Sequence, residues 1–177
     1  YLQRLLEKRL SEAGIIVVDS EAVIHPVFRR HDNLFLLITL LADGTKRKQV
    51  VGSIAESVCL HENRRYLQKL FCKPDLQVVS FTITEKEYRY TDIDGQYLSE
   101  IEHDMMAGPG FCVSFLGQIT ALLYLRYQAG RLPVAMLSLD NCTHNGDRLK
   151  DAIVVLAEAW RKNRIVEEGF LYYVADD

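Results

Sequence analysis

The chain has 177 residues, 49% hydrophobic and 25% charged, with a formal net charge of −3 and acids and bases interspersed. That is enough sequence for one globular domain with a buried core. It offers no basic footprint for nucleic acid and no apolar run of membrane-spanning length. Residues 1–12 read as a helix, because Leu2, Leu5, Leu6 and Leu10 recur on one face, and Ala13-Gly14 stops it. Ile15-Ile16-Val17-Val18 is a continuous apolar run, the pattern of a strand buried on both faces, and it ends in Asp19-Ser20-Glu21. Residues 35–41 read as a second strand, which Asp43-Gly44 turns into a third at roughly 49–60. This pair is expected as an antiparallel excursion beside the main sheet. Residues 62–71 read as a helix with Tyr66, Leu67 and Leu70 inward, and residues 76–84 as the best strand of the chain.

The stretch 88–110 is polar and irregular. A calcium loop at Asp92-Ile93-Asp94-Gly95 is rejected, because the twelfth position is His103 where a glutamate is needed. Residues 115–128 form the next helix, with Leu116, Ile119, Leu123 and Tyr127 in register. A strand over 133–139 and a helix over 146–161, with Trp160 on its core face, come next. A short piece over 165–174 closes the order. Apolar strands alternating with amphipathic helices imply an α/β chain with an open, mostly parallel sheet and helices on both faces. The strands near Ile15, Val78 and Ala135 are expected side by side.

The four cysteines have no paired spacing and read as reduced thiols in a cytoplasmic protein. Cys142 and His144 alone do not make a metal site, so none is expected. Asn141-Cys142-Thr143 matches a glycosylation sequon, which matters only in a secreted protein.

The most informative stretch runs from Leu137 to Gly146. An apolar strand stops at Asp140-Asn141, and Asn145-Gly146 opens a long helix. Ligands of open α/β sheets bind outside the carboxyl ends of strands. Side-chain amides there donate and accept hydrogen bonds and stabilise charge on a substrate oxygen. The same residues are also ordinary helix caps. A helix leading into a strand that ends in an acid is the second part of a dinucleotide-binding βαβ unit. Its first part, a strand and a glycine-rich turn, would precede residue 1; the other reading is that the acid is merely a surface loop residue.

Three strings carry a resemblance. They are Val79-Ser80-Phe81-Thr82-Ile83-Thr84-Glu85-Lys86-Glu87-Tyr88, Leu137 through Gly146, and His31-Asp32-Asn33-Leu34-Phe35 with Val51-Gly52-Ser53-Ile54 after it. In this order and spacing they resemble the N-terminal nucleotide-binding domain of the long-chain polyol dehydrogenases, the mannitol dehydrogenase and fructuronate reductase family. The resemblance covers essentially the whole chain, 1–177, as a partial dinucleotide-binding domain with a Rossmann-like sheet. It implies metal-free hydride transfer between NAD and a sugar alcohol or sugar acid.

In that family the catalytic base is a lysine in a helical C-terminal domain, and the pyrophosphate rests on an N-terminal glycine-rich loop. Both are absent here, so the chain alone is expected to be inactive. By resemblance, Asn141 matches the active-site asparagine that holds the substrate oxygen, and Asn145 the second asparagine of that motif. Glu85 matches a glutamate against the cofactor. Glu21 falls at the ribose-binding acid, with Asp19 as its rival. Three positions depart from the pattern: Glu87 stands for a glycine, Leu139 for a cysteine and Thr143 for a proline. No nucleic acid and no membrane partner is expected. The alternative is a Rossmann-like domain that lost its chemistry and serves as a scaffold or partner-binding module.

Overall fold

The computed structural model describes residues 2–19, 25–60 and 62–175. The chain divides into two compact units at Leu67/Gln68.

The first unit opens with helix α1, Leu2–Glu7, then strand β1, Ile15–Asp19, and helix α2, His25–Arg29. Strands β2 (Phe35–Leu40), β3 (Lys46–Val51) and β4 (Ile54–Cys59) come next, and helix α3, Arg64–Phe71, begins here. The first helix is shorter than expected. Arg9 adopts φ +54, a left-handed conformation that ends the helical path. Leu2, Leu5 and Leu6 are half-buried, so the expected apolar face is only partly covered. β2 and β3 pair antiparallel, Phe35 opposite Val51, which is the expected excursion. All six residues of β2 are exposed.

The third expected strand is really two. Gly52-Ser53 breaks it, and β4 beyond the break runs parallel to β1, with Asp19 opposite Cys59. Among the described residues, the one strand hydrogen-bonded to β1 is therefore β4. The expected side-by-side arrangement of β1 with the strands near Val78 and Ala135 is not formed. Strand pairing is a non-local choice, and apolar composition alone does not encode which neighbour a strand takes.

The second unit holds strand β5 (Val78–Phe81), helices α4 (Ser99–Ala107) and α5 (Phe115–Gln128), strand β6 (Ala135–Ser138), and helices α6 (Asn145–Lys162) and α7 (Glu168–Ala175). β5 and β6 are parallel, Val78 opposite Ala135 and Phe81 opposite Ser138. Their core joins Phe81, Ile101, Leu116, Leu149, Ile153, Leu156, Trp160 and Phe170. Trp160 is fully buried, as expected, and stacks on Phe170. Its indole N–H donates to the Asp104 carbonyl at 2.7 Å.

Helix α4 lies in the stretch expected to be irregular. Its buried residues are Ile101 and Asp104, so a carboxylate occupies one of the inward positions. That hides the apolar period a sequence reading depends on. Asp104 is fully buried and accepts from the Val113 and Ser114 amides at 2.8 and 2.9 Å and from the Ser114 hydroxyl at 2.6 Å. Ser114 in turn caps α5, its Oγ accepting from the Gly117 amide at 2.9 Å. A Cβ on Gly117 would collide with Asp104 Oδ2. Gly117→Ala is therefore expected to destabilise the fold by about 1–3 kcal/mol, the range for overpacking a filled core, read as a lowered urea midpoint.

A second buried polar residue organises the other end of β5 and β6. Arg126 of α5 is fully buried. Its guanidinium donates to five carbonyls: Phe71, Lys73, Leu76 and Pro133 at 2.7–2.8 Å, and Leu132 at 2.9 Å. It thus ties together the chain segments that enter both strands.

Candidate functional site

Both strands of the β5–β6 pair stop at the same edge because they are parallel and in register. The Leu139 amide still donates to the Phe81 carbonyl at 2.9 Å, after which the two chains diverge. The segments leaving the two strands form the candidate site.

After β5, residues Glu85–Tyr88 form a single 3-10 turn. The Glu87 carboxylate accepts from the Thr84 amide at 2.5 Å and the Thr84 hydroxyl at 2.9 Å, a capping-box arrangement. Glu87 is not among the residues with positive φ. The departure from a glycine therefore costs no left-handed strain and instead supplies a cap. The turn leaves Glu85 exposed and carries Tyr88 into the interior, where it is 3% exposed. The Tyr88 hydroxyl donates to the Asp140 carboxylate and lies 2.6 Å from Ser138 Oγ.

After β6, the chain passes through Asp140 and Asn141 to His144, which takes the N-cap position of α6 at φ +55 without a side-chain cap bond. Asn141 is thus not the cap of that helix. Its side chain is exposed and forms no hydrogen bond among the described residues. Asn145 is engaged in the loop. Its amide donates to the Asp140 carbonyl at 2.8 Å, and its Oδ1 accepts from the Gly146 amide at 2.8 Å. From the first turn of α6, Arg148 reaches back to Glu85 at 2.9 Å. That guanidinium holds the Glu85 carboxyl below its ordinary range, through a hydrogen bond first and charge second. Both partners are about half exposed, so the pair adds little to stability.

Glu85 and Asn141 therefore both follow the carboxyl ends of the β5–β6 pair. Asp19 is the last residue of β1, at the carboxyl end of the other parallel pair. Glu21 lies outside the described residues. The contacts that join Tyr88 to Ser138 and Asp140, and Arg148 to Glu85, carry no clear signal in the sequence. A tyrosine in a polar stretch reads as loop packing. The one available signal is a serine and an aspartate spaced two apart at the end of an apolar strand. Among the described residues no cluster of His, Cys, Asp or Glu could hold a metal ion. No helix there is long and apolar enough to cross a membrane.

Burial, with the Asp140 hydrogen bond second, pushes the Tyr88 phenol from 10.0 up to about 12. The folded state then holds this proton where the unfolded chain has lost it. The stabilisation is complete below pH 10 and disappears as pH rises through about 12. Urea unfolding across that window is expected to show a steeper alkaline loss for the wild type than for Tyr88→Phe.

The arrangement offers an unpaired amide, with donor and acceptor, at the end of one strand. A carboxylate–guanidinium pair stands at the end of its neighbour. Such an edge is where doubly wound α/β sheets take their ligands. Comparison with known proteins agrees with that class. Mannitol 2-dehydrogenase of Pseudomonas fluorescens, solved as a ternary complex with NAD and D-mannitol, superposes with a TM-score of 0.76 at 28% identity. The match covers 92% of this chain and 35% of that one. A substrate-free D-sorbitol dehydrogenase matches in fold, with a TM-score of 0.79 at 21% identity over 98% of this chain and 37% of that one. The fold is Rossmann-like, with an antiparallel excursion.

In sequence, D-mannonate oxidoreductase of Thermotoga maritima is 36% identical over 99% of this chain and 34% of its own length. Mannitol 2-dehydrogenase of Pyrenophora tritici-repentis is 27% identical over 94% of this chain and 30% of its own. No family model matches. The chain matches D-mannonate oxidoreductase and mannitol 2-dehydrogenase over nearly all of its own length, and spans about a third of theirs.

Proposed function

We propose that the chain is a partial dinucleotide-binding domain of an NAD-dependent oxidoreductase, which transfers hydride between the cofactor and a sugar alcohol or sugar acid. The observation that carries this reading is the 36% identity to D-mannonate oxidoreductase over nearly the entire chain. The unpaired amide of Asn141 at the carboxyl end of β6 supports it.

The donor set suits part of such a cofactor. Asp19 ends a parallel strand and Glu21 follows two residues on in sequence; a carboxylate in this stretch would accept hydrogen bonds from ribose hydroxyls and repel a 2′-phosphate, which favours NAD over NADP. Glu85 would lie against the cofactor at the end of β5. The pyrophosphate cradle is another matter. No G-x-G-x-x-G occurs in the chain, and Gly108-Pro109-Gly110 comes after a helix where the cradle comes after a strand. We assign the cradle, its strand, and the lysine base of the helical C-terminal domain to the parent protein.

A bound nicotinamide cofactor would supply hydride chemistry at this edge. Asn141 then donates an N–H to the substrate oxygen and stabilises the charge that develops there. Asn145, with its amide engaged in the loop, supports this edge. The four free thiols suit a reducing, cytoplasmic setting.

Calorimetry with NADH tests the reading. The isolated chain is expected to bind weakly or not at all, because backbone N–H groups at a helix N-terminus normally hold the pyrophosphate. The parent protein is expected to bind measurably. Equal tight binding by both would contradict the assignment of the cradle to the parent.

A further inference from the structure

The geometry points to Tyr88 as the positioning residue for Asn141, acting through Asp140. This rests on the proposed role of Asn141 and extends it to a residue on the neighbouring strand's exit. Tyr88 is buried beneath the loop, and its hydroxyl reaches the Asp140 carboxylate and Ser138 Oγ. The Asp140 carbonyl is held from the other side by the Asn145 amide at 2.8 Å. The residue before Asn141 is thus fixed at both its side chain and its main chain, while Asn141 itself projects without a partner among the described residues. Free side chains on loops seldom keep the sub-ångström placement a reacting oxygen demands. Here the loop is clamped to β6 through Ser138 and to the β5 exit through Tyr88. On this view Asn145 is the second half of the clamp and does not touch substrate.

Tyr88→Phe removes the hydroxyl and keeps the ring that fills the core. In the parent protein it is expected to lower kcat by about 10- to 100-fold, the scale of an ångström-sized misplacement. The KM for NADH should stay near wild type. In an Asn141→Ala background the same change should lower kcat no further, because the group being positioned is gone. Equal fold losses in both backgrounds would overturn the proposal, as would an unchanged kcat in Tyr88→Phe. Segment-resolved hydrogen exchange on the parent gives a second readout. Amides of residues 139–145 should exchange faster in Tyr88→Phe, and unchanged exchange would refute the clamp. A wild-type parent with no turnover, but with the exchange change intact, would sink the functional reading and leave the clamp standing.

Discussion

Asn141→Ala in the full-length parent is expected to lower kcat by roughly a hundred- to thousandfold, with NADH affinity close to wild type. Loss of one donor aimed at a developing oxyanion costs about 2.7–4 kcal/mol of transition-state stabilisation. The structure separates this from a stability effect. His144 takes the helix N-cap position, and the Asn141 amide forms no hydrogen bond among the described residues. Its removal therefore leaves no buried group unpaired, and the melting temperature should move little, as for surface substitutions within about 0.5 kcal/mol. Steady-state kinetics and one thermal melt decide the matter. Normal turnover with a lowered melting temperature would return Asn141 to a structural role.

The largest stability effect is expected at Arg126. Arg126→Met replaces the guanidinium with an apolar chain of similar length and strips five carbonyls of their donor. Each carbonyl left buried and unpaired costs about 1–3 kcal/mol, although those near the surface recover water. A net loss of about 4 kcal/mol or more is expected, large enough to be diagnostic of a broken network. Arg126→Lys should rescue little. An ammonium is a point charge with three donors and cannot span five acceptors spread over two chain segments. Urea unfolding measures both variants. A loss below about 1 kcal/mol for Arg126→Met would mean that the segments entering β5 and β6 hold without the arginine.

These two residues also mark what sequence reading reaches. Asn141 is legible because an apolar strand that stops at a polar pair announces a strand end, and strand ends are where this fold class puts ligands. Arg126 is not. It sits in an apolar helix as one charged residue, which reads as solvent-facing, and its partners are main-chain carbonyls that carry no side-chain signal. The same physics hides α4, where Asp104 fills an inward position. Helices α5 and α6 are legible because long amphipathic periods over-determine them. The pairing of β1 is not, since every apolar strand satisfies the same pattern. Asn145 shows the limit most sharply. Its residue type suits a substrate ligand, and the structure shows one of its two N–H donors given to the Asp140 carbonyl, a loop contact the residue type does not announce.

The proposed function is hydride transfer by the parent protein between NAD and a sugar alcohol or sugar acid. Its most direct test is NADH formation by the purified parent protein with NAD, D-mannitol and D-mannonate, with Asn141→Ala run beside it. Turnover is expected on at least one of the two substrates, reduced by roughly a hundredfold or more in the variant. A folded parent that neither binds NADH nor turns over either compound would contradict it. That outcome would favour a Rossmann-like scaffold without chemistry.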